Sequence, residues 1–249
     1  MIRAENLSFS YGDRLVLSDL SFTLEDGVFY GIIGPNGSGK TTLLRLLTRL
    51  EHPLHGRLFL DNTPYPAFSP KELARRIALL PQGRELPVMT AEQLVACGRY
   101  PYEGFGGKLT HTDEQAILHG LERTQTLPLK DRPLSTLSGG ERQRVYLAML
   151  LAQDTPHLFL DEPTTYLDIG GQFQMMDLLA TFTEKCVTAV LHDLPLALEY
   201  CQKILVLNHG VLAGFGTPAE LVRQGVIDRT FGITCTPLPQ GGYHIRRKQ

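Results

Sequence analysis

The stretch Gly34-Pro35-Asn36-Gly37-Ser38-Gly39-Lys40-Thr41 follows an apolar run, Val28 to Ile33, and precedes a leucine-rich segment with helical spacing. It satisfies the pattern G-x-x-x-x-G-K-[ST]. In such a pattern the glycines let successive backbone N–H groups turn inward, and the following helix presents its positive N-terminal end. The sequence therefore predicts a strand, a phosphate loop (Gly34 to Thr41) and a helix, with Lys40 reaching the outer phosphates and Thr41 offering its hydroxyl to Mg2+.

A second apolar strand ends in two carboxylates. Leu158-Phe159-Leu160 is followed by Asp161 and Glu162, and the ligands of parallel sheets bind where the strands end. Asp161 is predicted to hold Mg2+ through water, and Glu162 to polarise a water that attacks the γ-phosphate. Alone, this pattern is also what a capped strand end would give. Together with the phosphate loop it predicts a nucleoside triphosphatase.

Composition narrows the possible function classes. The chain has 249 residues, enough for one large α/β domain or two small ones. Its 24 basic and 26 acidic residues give a net charge of −2, which argues against nucleic acid as the default partner.

The four cysteines are too widely spaced for a metal cluster and are predicted to be free thiols. They are Cys97, Cys186, Cys201 and Cys235. No segment approaches the roughly 18 apolar residues of a membrane span, so any membrane role is expected to pass through another subunit.

The remaining patterns predict an α/β organisation. Residues 2 to 30 alternate like strands around a turn at Glu25 to Gly27, and the apolar runs HLFLDEP and CVTAVLHD have the character of buried parallel strands. A hairpin is predicted to turn at Asn208 to Gly210. Helices are predicted at Lys71 to Ile77, Ala91 to Cys97, Thr112 to Thr124, near Gln172 to Phe182, and from Pro218.

The segment Leu137-Ser138-Gly139-Gly140-Glu141-Arg142-Gln143-Arg144, called the signature segment below, resembles the signature motif of ABC-type ATPases. As in that family, it precedes the acidic strand end. The other family motifs fall in order along the chain: Tyr11, Gln82, Asp168 and His192. The resemblance extends from about Ile2 to Gly232. Glu141 stands where the family most often has Gln, a variant that also occurs in the family.

The resemblance implies a P-loop NTPase fold of the ABC cassette type. Its central sheet would be mostly parallel, with an N-terminal antiparallel β lobe and an inserted helical lobe. Residues 1–249 would form a single ABC ATPase domain. Within it, residues 1–82 and 153–232 would form the nucleotide-binding core with the β lobe, residues 83–152 the helical lobe with the signature segment, and residues 233–249 a C-terminal tail.

The resemblance also implies site roles, with ATP and Mg2+ as cofactors. The catalytic residues would be Lys40, Gln82, Glu162 and His192. Tyr11 would stack on adenine, and the phosphate loop with Thr42 would bind the phosphates. Ser138, Gly139 and Gly140 would meet the γ-phosphate of a nucleotide bound by a second copy, and Asp168 would couple the two sites of the homodimer. Thr41, Gln82 and Asp161 would hold Mg2+.

The function implied is that of an ATP hydrolase in an importer. DNA-repair relatives carry long insertions, translation relatives carry two cassettes, and exporters are commonly fused to a membrane segment. Met89 to Tyr102, with its Gly98-Arg99-Tyr100-Pro101 element, and Asp161 to Ile169 resemble ATPases of iron-siderophore, haem and cobalamin importers. A molybdate or other metal-ion importer, or a soluble non-transport ABC ATPase, remains an alternative.

The resemblance to importer ATPases also implies partners for this chain. A separate permease is expected to dock near Gly83 to Tyr102, where Arg99, Tyr100 and Tyr102 are expected to be exposed, because aromatic and arginine side chains are enriched at interfaces. A substrate-binding protein would take part indirectly, and no nucleic acid is expected. The chain would then lie at the cytoplasmic face of the cell membrane, held there by the permease.

Overall fold

The computed structural model describes residues 1–83, 86–102 and 108–248. Parts of the predicted docking segment (84–85), helical lobe (103–107) and tail (249) lie outside the described residues. The strands are β1 (Ile2–Tyr11), β2 (Arg14–Leu24), β3 (Phe29–Ile33), β4 (His55–Leu60), β5 (Thr63–Pro64), β6 (Ile77–Leu80), β7 (His157–Asp161), β8 (Cys186–Val190), β9 (Lys203–Asn208), β10 (Val211–Gly216), β11 (Ile233–Pro237) and β12 (Tyr243–Arg247). The helices are α1 (Lys40–Leu47), α2 (Pro70–Ala74), α3 (Ala91–Cys97), α4 (His111–Arg123), α5 (Gly139–Ala152), α6 (Ile169–Ala180), α7 (Leu194–Tyr200), α8 (Pro218–Arg223) and α9 (Val226–Phe231).

The chain divides into two compact units. The first unit contains Met1–Ala67 and Phe182–Gln249, and the second contains Phe68–Thr181. The core, lobe and tail boundaries implied by the family resemblance stay a prediction.

An antiparallel sheet in the order β2-β1-β4-β5 opens the first unit. Ile2 lies opposite Leu24 on one side and Leu60 on the other, and all three are buried. The register shifts after Ala4, where Asn6 has a φ of +49°. Buried and exposed positions alternate along a strand, and this irregularity shifts the alternation by one residue. Leu7 and Phe9 therefore face the core rather than Asn6 and Ser8. The predicted antiparallel lobe is present.

The parallel strands of the first unit are almost wholly buried. β3 lies between β8 and β9 and is parallel to both, and all five residues of β3 and of β8 are buried. Strands covered on both faces read as continuous apolar runs, which is why these showed no alternation in the sequence. β10 returns antiparallel to β9 through a turn at His209 and Gly210, both with positive φ. This turn lies where the sequence predicted it.

The C-terminal part of the first unit is ordered as well. α8 and α9 are followed by β11 and β12, which pair as an antiparallel hairpin with Ile233 opposite Arg247. Cys235 of β11 is buried and its backbone N–H donates to Asp228 Oδ1 at 2.9 Å. The predicted tail therefore contains a hairpin that is tied to α9.

The second unit combines a parallel strand pair with packed helices. β6 and β7 are parallel, with Ile77 opposite His157. Helices α3 and α4 both pack against α5. A Cβ at Gly98 would lie 2.3 Å from the carbonyl oxygen of Met149, and one at Gly120 would lie 2.6 Å from that of Ala148. These two glycines allow the helices to approach closely.

Helix boundaries differ from the predictions where a capping residue decides them. α2 begins at Pro70, because Ser69 and Glu72 form a capping box, and it ends at Ala74. The prediction that it reaches Ile77 is wrong, since Ile77 begins β6.

Helix α6 begins at Ile169, before the predicted Gln172, because Asp168 caps it. α3 has the predicted bounds.

Parallel strand pairs, an antiparallel sheet and a helical bundle confirm the predicted α/β class. Of the helices in the described part of the chain, none is both long and apolar enough to cross a bilayer.

Candidate functional site

The phosphate loop joins β3 to α1 in the first unit, and its glycines are needed for its shape. The backbone has a φ of +155° at Gly34, +76° at Gly37 and +98° at Gly39. A Cβ at Gly34 would lie 2.1 Å from the carbonyl oxygen of Leu207, and one at Gly39 would lie 2.5 Å from Leu17 Cδ2. Larger residues would therefore clash at both positions as well as adopt strained φ values.

Two side chains give the loop its chemistry. Lys40 Nζ donates to the carbonyl oxygens of Gly34 at 2.9 Å and Pro35 at 3.0 Å, so the ammonium group lies over the loop. Ser38 Oγ is buried and has no hydrogen-bond partner among the described residues. A buried hydroxyl without a partner is costly. A phosphate group fits this loop, because its oxygens would accept from Ser38 and neutralise Lys40.

Tyr11 and His192 are the other predicted ligands in the first unit. Tyr11 ends β1, is 46% exposed, and packs edge-on against Phe9 with ring centroids 4.8 Å apart. Exposed aromatic rings of this kind can stack on a base. His192 is exposed and follows β8, while its neighbour Asp193 caps α7 by accepting from the Leu196 N–H at 2.9 Å. Their contacts with nucleotide stay predictions.

The acidic strand end lies in the second unit. Asp161 ends β7 and is 4% exposed. Glu162 follows with a φ of +54°, and its Oε2 accepts from Gln82 Nε2 at 2.6 Å and from Thr165 Oγ1 at 3.0 Å. The structure thus brings together two residues that the sequence predicted to be catalytic, Gln82 and Glu162. It also adds Thr165, which sequence reasoning missed.

The signature segment forms the start of α5. Ser138 is the N-cap residue: its Oγ accepts from the Glu141 N–H at 3.3 Å, and Glu141 Oε2 accepts from the Ser138 N–H at 2.8 Å. The hydrogen bond from the Ser138 backbone is the main reason that the pKa of Glu141 lies below its ordinary value. Glu141 therefore has a structural role. Ser138 and Gly139 are exposed at the positive end of a 14-residue helix, a favourable place for an anion.

Asp168 also serves as a helix cap. It is exposed and its Oδ1 accepts from the Gly171 N–H at 2.7 Å, at the start of α6. Its predicted role in coupling two nucleotide sites stays a prediction, as does contact of Ser138, Gly139 and Gly140 with a nucleotide.

The predicted donors for Mg2+ have suitable chemistry. They are the hydroxyl of Thr41, the amide oxygen of Gln82 and the carboxylate of Asp161, all hard oxygen ligands. Within residues 1–83, 86–102 and 108–248, no group of three or more His, Cys, Asp or Glu side chains could hold a metal ion. Mg2+ is usually bound by one or two carboxylates together with substrate phosphates, so each of these donors is of a chemical kind that suits it.

The predicted docking segment is only partly exposed. Tyr100 is 64% exposed, but the prediction that Arg99 is exposed is wrong, since it is 4% exposed. Arg99 Nε donates to Asp113 Oδ1 at 2.8 Å, its Nη1 donates to the Ala152 carbonyl oxygen at 2.6 Å, and its guanidinium lies 3.9 Å from the Tyr102 ring centroid. Partners from α4 and α5 therefore make burial of this charge possible.

Asp113 is the centre of this buried cluster. Its Oδ2 accepts from the Thr110 hydroxyl at 2.7 Å and from the Thr110 N–H at 2.9 Å. These bonds, followed by the one from Arg99, lower the pKa of Asp113 to about 2. The carboxylate thus joins the start of α4 to the end of α3.

Comparison with known proteins places this site in a family. Residues 17–165 match the family model described as ABC transporter. The chain is 41% identical over 238 residues to the ferric enterobactin transport ATP-binding protein FepC of Escherichia coli (strain K12), covering 94% of this chain and 88% of FepC. It is 39% identical over 238 residues to the probable siderophore transport system ATP-binding protein YusV of Bacillus subtilis (strain 168), with 94% and 86% covered.

A solved structure supports the same assignment. The dimeric structure of an ATP-binding cassette in a post-hydrolysis state, bound to ADP and phosphate, has a TM-score of 0.74 and 26% identity, with 88% of this chain and 99% of that chain covered. The phosphate loop, the acidic strand end and the signature segment all lie inside the matched residues. The family predicted from the signature segment is confirmed: the chain belongs to the ABC transporter family.

Proposed function

We propose that this chain is the ATP-hydrolysing subunit of an importer for iron-siderophore complexes. Family membership supports ATP hydrolysis, and relatives whose names refer to ferric enterobactin and siderophore transport support the substrate class. These names favour siderophores over the haem, cobalamin, molybdate and metal-ion alternatives. They also favour transport over a soluble non-transport ATPase.

One observation carries the hydrolytic part of the proposal: the contact between Gln82 and Glu162, next to the buried Asp161. Glu162 orients the attacking water and accepts its proton. Lys40 and the N–H groups of the phosphate loop bind the phosphates, and His192 contacts the γ-phosphate. Mg2+, when bound by Thr41, Gln82 and Asp161, supplies positive charge that offsets the charge of the phosphates.

Two copies of the chain form the complete enzyme in this proposal. The exposed N-terminal end of α5, with Ser138, Gly139 and Gly140, binds the γ-phosphate of the nucleotide held by the partner's phosphate loop. Asp168 connects the two sites. The dimeric state of the solved cassette supports this arrangement. ATP then stabilises the dimer, because it binds the joined form more tightly than the separate copies.

The remaining partners are a separate permease and, indirectly, a substrate-binding protein. The permease docks on the segment Gly83 to Tyr102, where Tyr100 offers an exposed aromatic ring. The chain then works at the cytoplasmic face of the cell membrane. Relatives that are transport ATP-binding proteins support this placement.

Replacement of the catalytic carboxylate tests the hydrolytic assignment. Glu162→Gln keeps the shape of the side chain but cannot accept a proton, so we expect ATP binding to be retained and turnover to fall by about 100-fold or more. Equilibrium binding of ATP and phosphate release are measured on the same preparation. Glu122→Gln, at an exposed position of α4, is the matched control. Full turnover by Glu162→Gln would contradict the assignment.

The substrate class is tested separately by uptake. Cells that lack the corresponding endogenous ATPase receive this chain with its permease and binding protein, and uptake of a labelled ferric siderophore, haem and cobalamin is compared. We expect uptake of the siderophore alone, and none with Glu162→Gln. Uptake of cobalamin without the siderophore would refute the substrate class and leave the hydrolytic assignment standing.

A further inference from the structure

The turn after β7 holds Glu162 in two ways. Its backbone φ of +54° is unusual for a residue with a side chain. The Thr165 N–H donates to the Glu162 carbonyl oxygen at 3.2 Å, and Thr165 Oγ1 donates to Glu162 Oε2 at 3.0 Å. One residue therefore fixes both the main chain and the side chain of the proposed catalytic carboxylate.

A second donor reaches the same carboxylate oxygen. Gln82 Nε2, which follows β6, donates to Glu162 Oε2 at 2.6 Å. The last torsion of a glutamate side chain has no sharp preference, so a single hydrogen bond leaves the carboxylate plane poorly defined. Two donors arriving from different segments of the chain define it. β6 and β7 are neighbouring parallel strands, and this pairing places the two segments side by side.

We infer that Thr165 is a positioning residue for ATP hydrolysis, acting through its hydroxyl on Glu162. This inference rests on the proposed function of Glu162. Thr165 holds the carboxylate in the orientation in which it meets the attacking water. Small displacements of a reacting group are costly in rate, so loss of this hydroxyl slows the chemical step and leaves nucleotide binding intact.

The test compares three substitutions in the full chain. Thr165→Val removes the hydroxyl at nearly constant volume, Thr165→Ser keeps it, and Thr181→Val makes the same change at an exposed position of the same unit. We expect Thr165→Val to lower kcat by about 10-fold to 100-fold, with KM for ATP and the Kd measured with a fluorescent ATP analogue changed by less than about two-fold. Thr165→Ser is expected to retain most of the turnover, and Thr181→Val all of it. Thr165→Ala replaces Thr165→Val if the latter does not fold.

A double variant shows whether Thr165 acts through Glu162. In the Glu162→Gln background, Thr165→Val is expected to cause no further loss of turnover. An equal loss with and without Glu162 would overturn the inference. So would wild-type kcat in Thr165→Val, or a Thr165→Ser variant as slow as Thr165→Val. Failure of the proposed function is recognised independently, because it would appear as full turnover by Glu162→Gln alone.

Discussion

Removing Arg99 is expected to destabilise the second unit strongly. The side chains of Arg99 and Asp113 are only 5% and 6% exposed. Breaking a buried ion pair by removing one partner costs about 3–5 kcal/mol, because a charge stays buried without its counterion. In Arg99→Met, however, Asp113 still accepts hydrogen bonds from the N–H and the hydroxyl of Thr110. The cost of losing the ion pair should therefore lie near the lower end of that range. With the lost contacts to Ala152 and Tyr102 included, we expect a decrease of about 3–4 kcal/mol in the free energy of unfolding.

Urea unfolding followed by circular dichroism measures this cost. The series contains the wild type, Arg99→Met, Asp113→Asn, the double variant, and Arg223→Met at an exposed position in the last turn of α8. The control should lose at most about 1 kcal/mol. The double variant should lose less than the sum of the single variants, since each removes the same pair. A loss below about 1 kcal/mol in Arg99→Met, or strict additivity, would refute the reasoning.

Two further predictions concern the same unit. Gly98→Ala would place a Cβ 2.3 Å from the Met149 carbonyl oxygen and should cost about 1–3 kcal/mol. Thermal unfolding should show a lower Tm than for Gly170→Ala, where the nearest atom is 3.9 Å away. The pKa of Asp113 is lowered from 3.8 to about 2, so its ionised form stabilises the fold above about pH 4, and this contribution is lost as the pH falls from about 4 to 2. The stability advantage of the wild type over Asp113→Asn should therefore shrink across that interval, and a constant difference would contradict the assignment.

The phosphate loop could be predicted from the sequence because its chemistry dictates a local backbone path. Gly34, Gly37 and Gly39 all have positive φ values, and because these backbone requirements fall in one short segment they leave a contiguous motif. The pattern of a strand that ends in two carboxylates predicted the role of Glu162, and the family resemblance supplied that of Gln82. Their direct contact depends instead on the pairing of β6 with β7, a tertiary event that no local pattern encodes.

Arg99 shows why exposure is harder to predict than a motif. Arginine is usually exposed, and the sequence alone gave no sign of the partners that bury it. Asp113 lies 14 residues away and Ala152 lies 53 residues away. The sequence predicted a helix from Thr112 to Thr124, but the role of Asp113 in that helix as the counterion of Arg99 follows only from the packing of α3 and α4 on α5.

The capping box of Ser138 and Glu141 has a consequence for how two copies would associate. Its hydrogen bonds already fix the first turn of α5 in a single chain. This turn does not have to become ordered when a second copy arrives, so it adds no ordering cost to the translational and rotational entropy lost on association. Contact of a second copy with this end of α5 should therefore require no local folding step, and its rate should depend on diffusion and orientation.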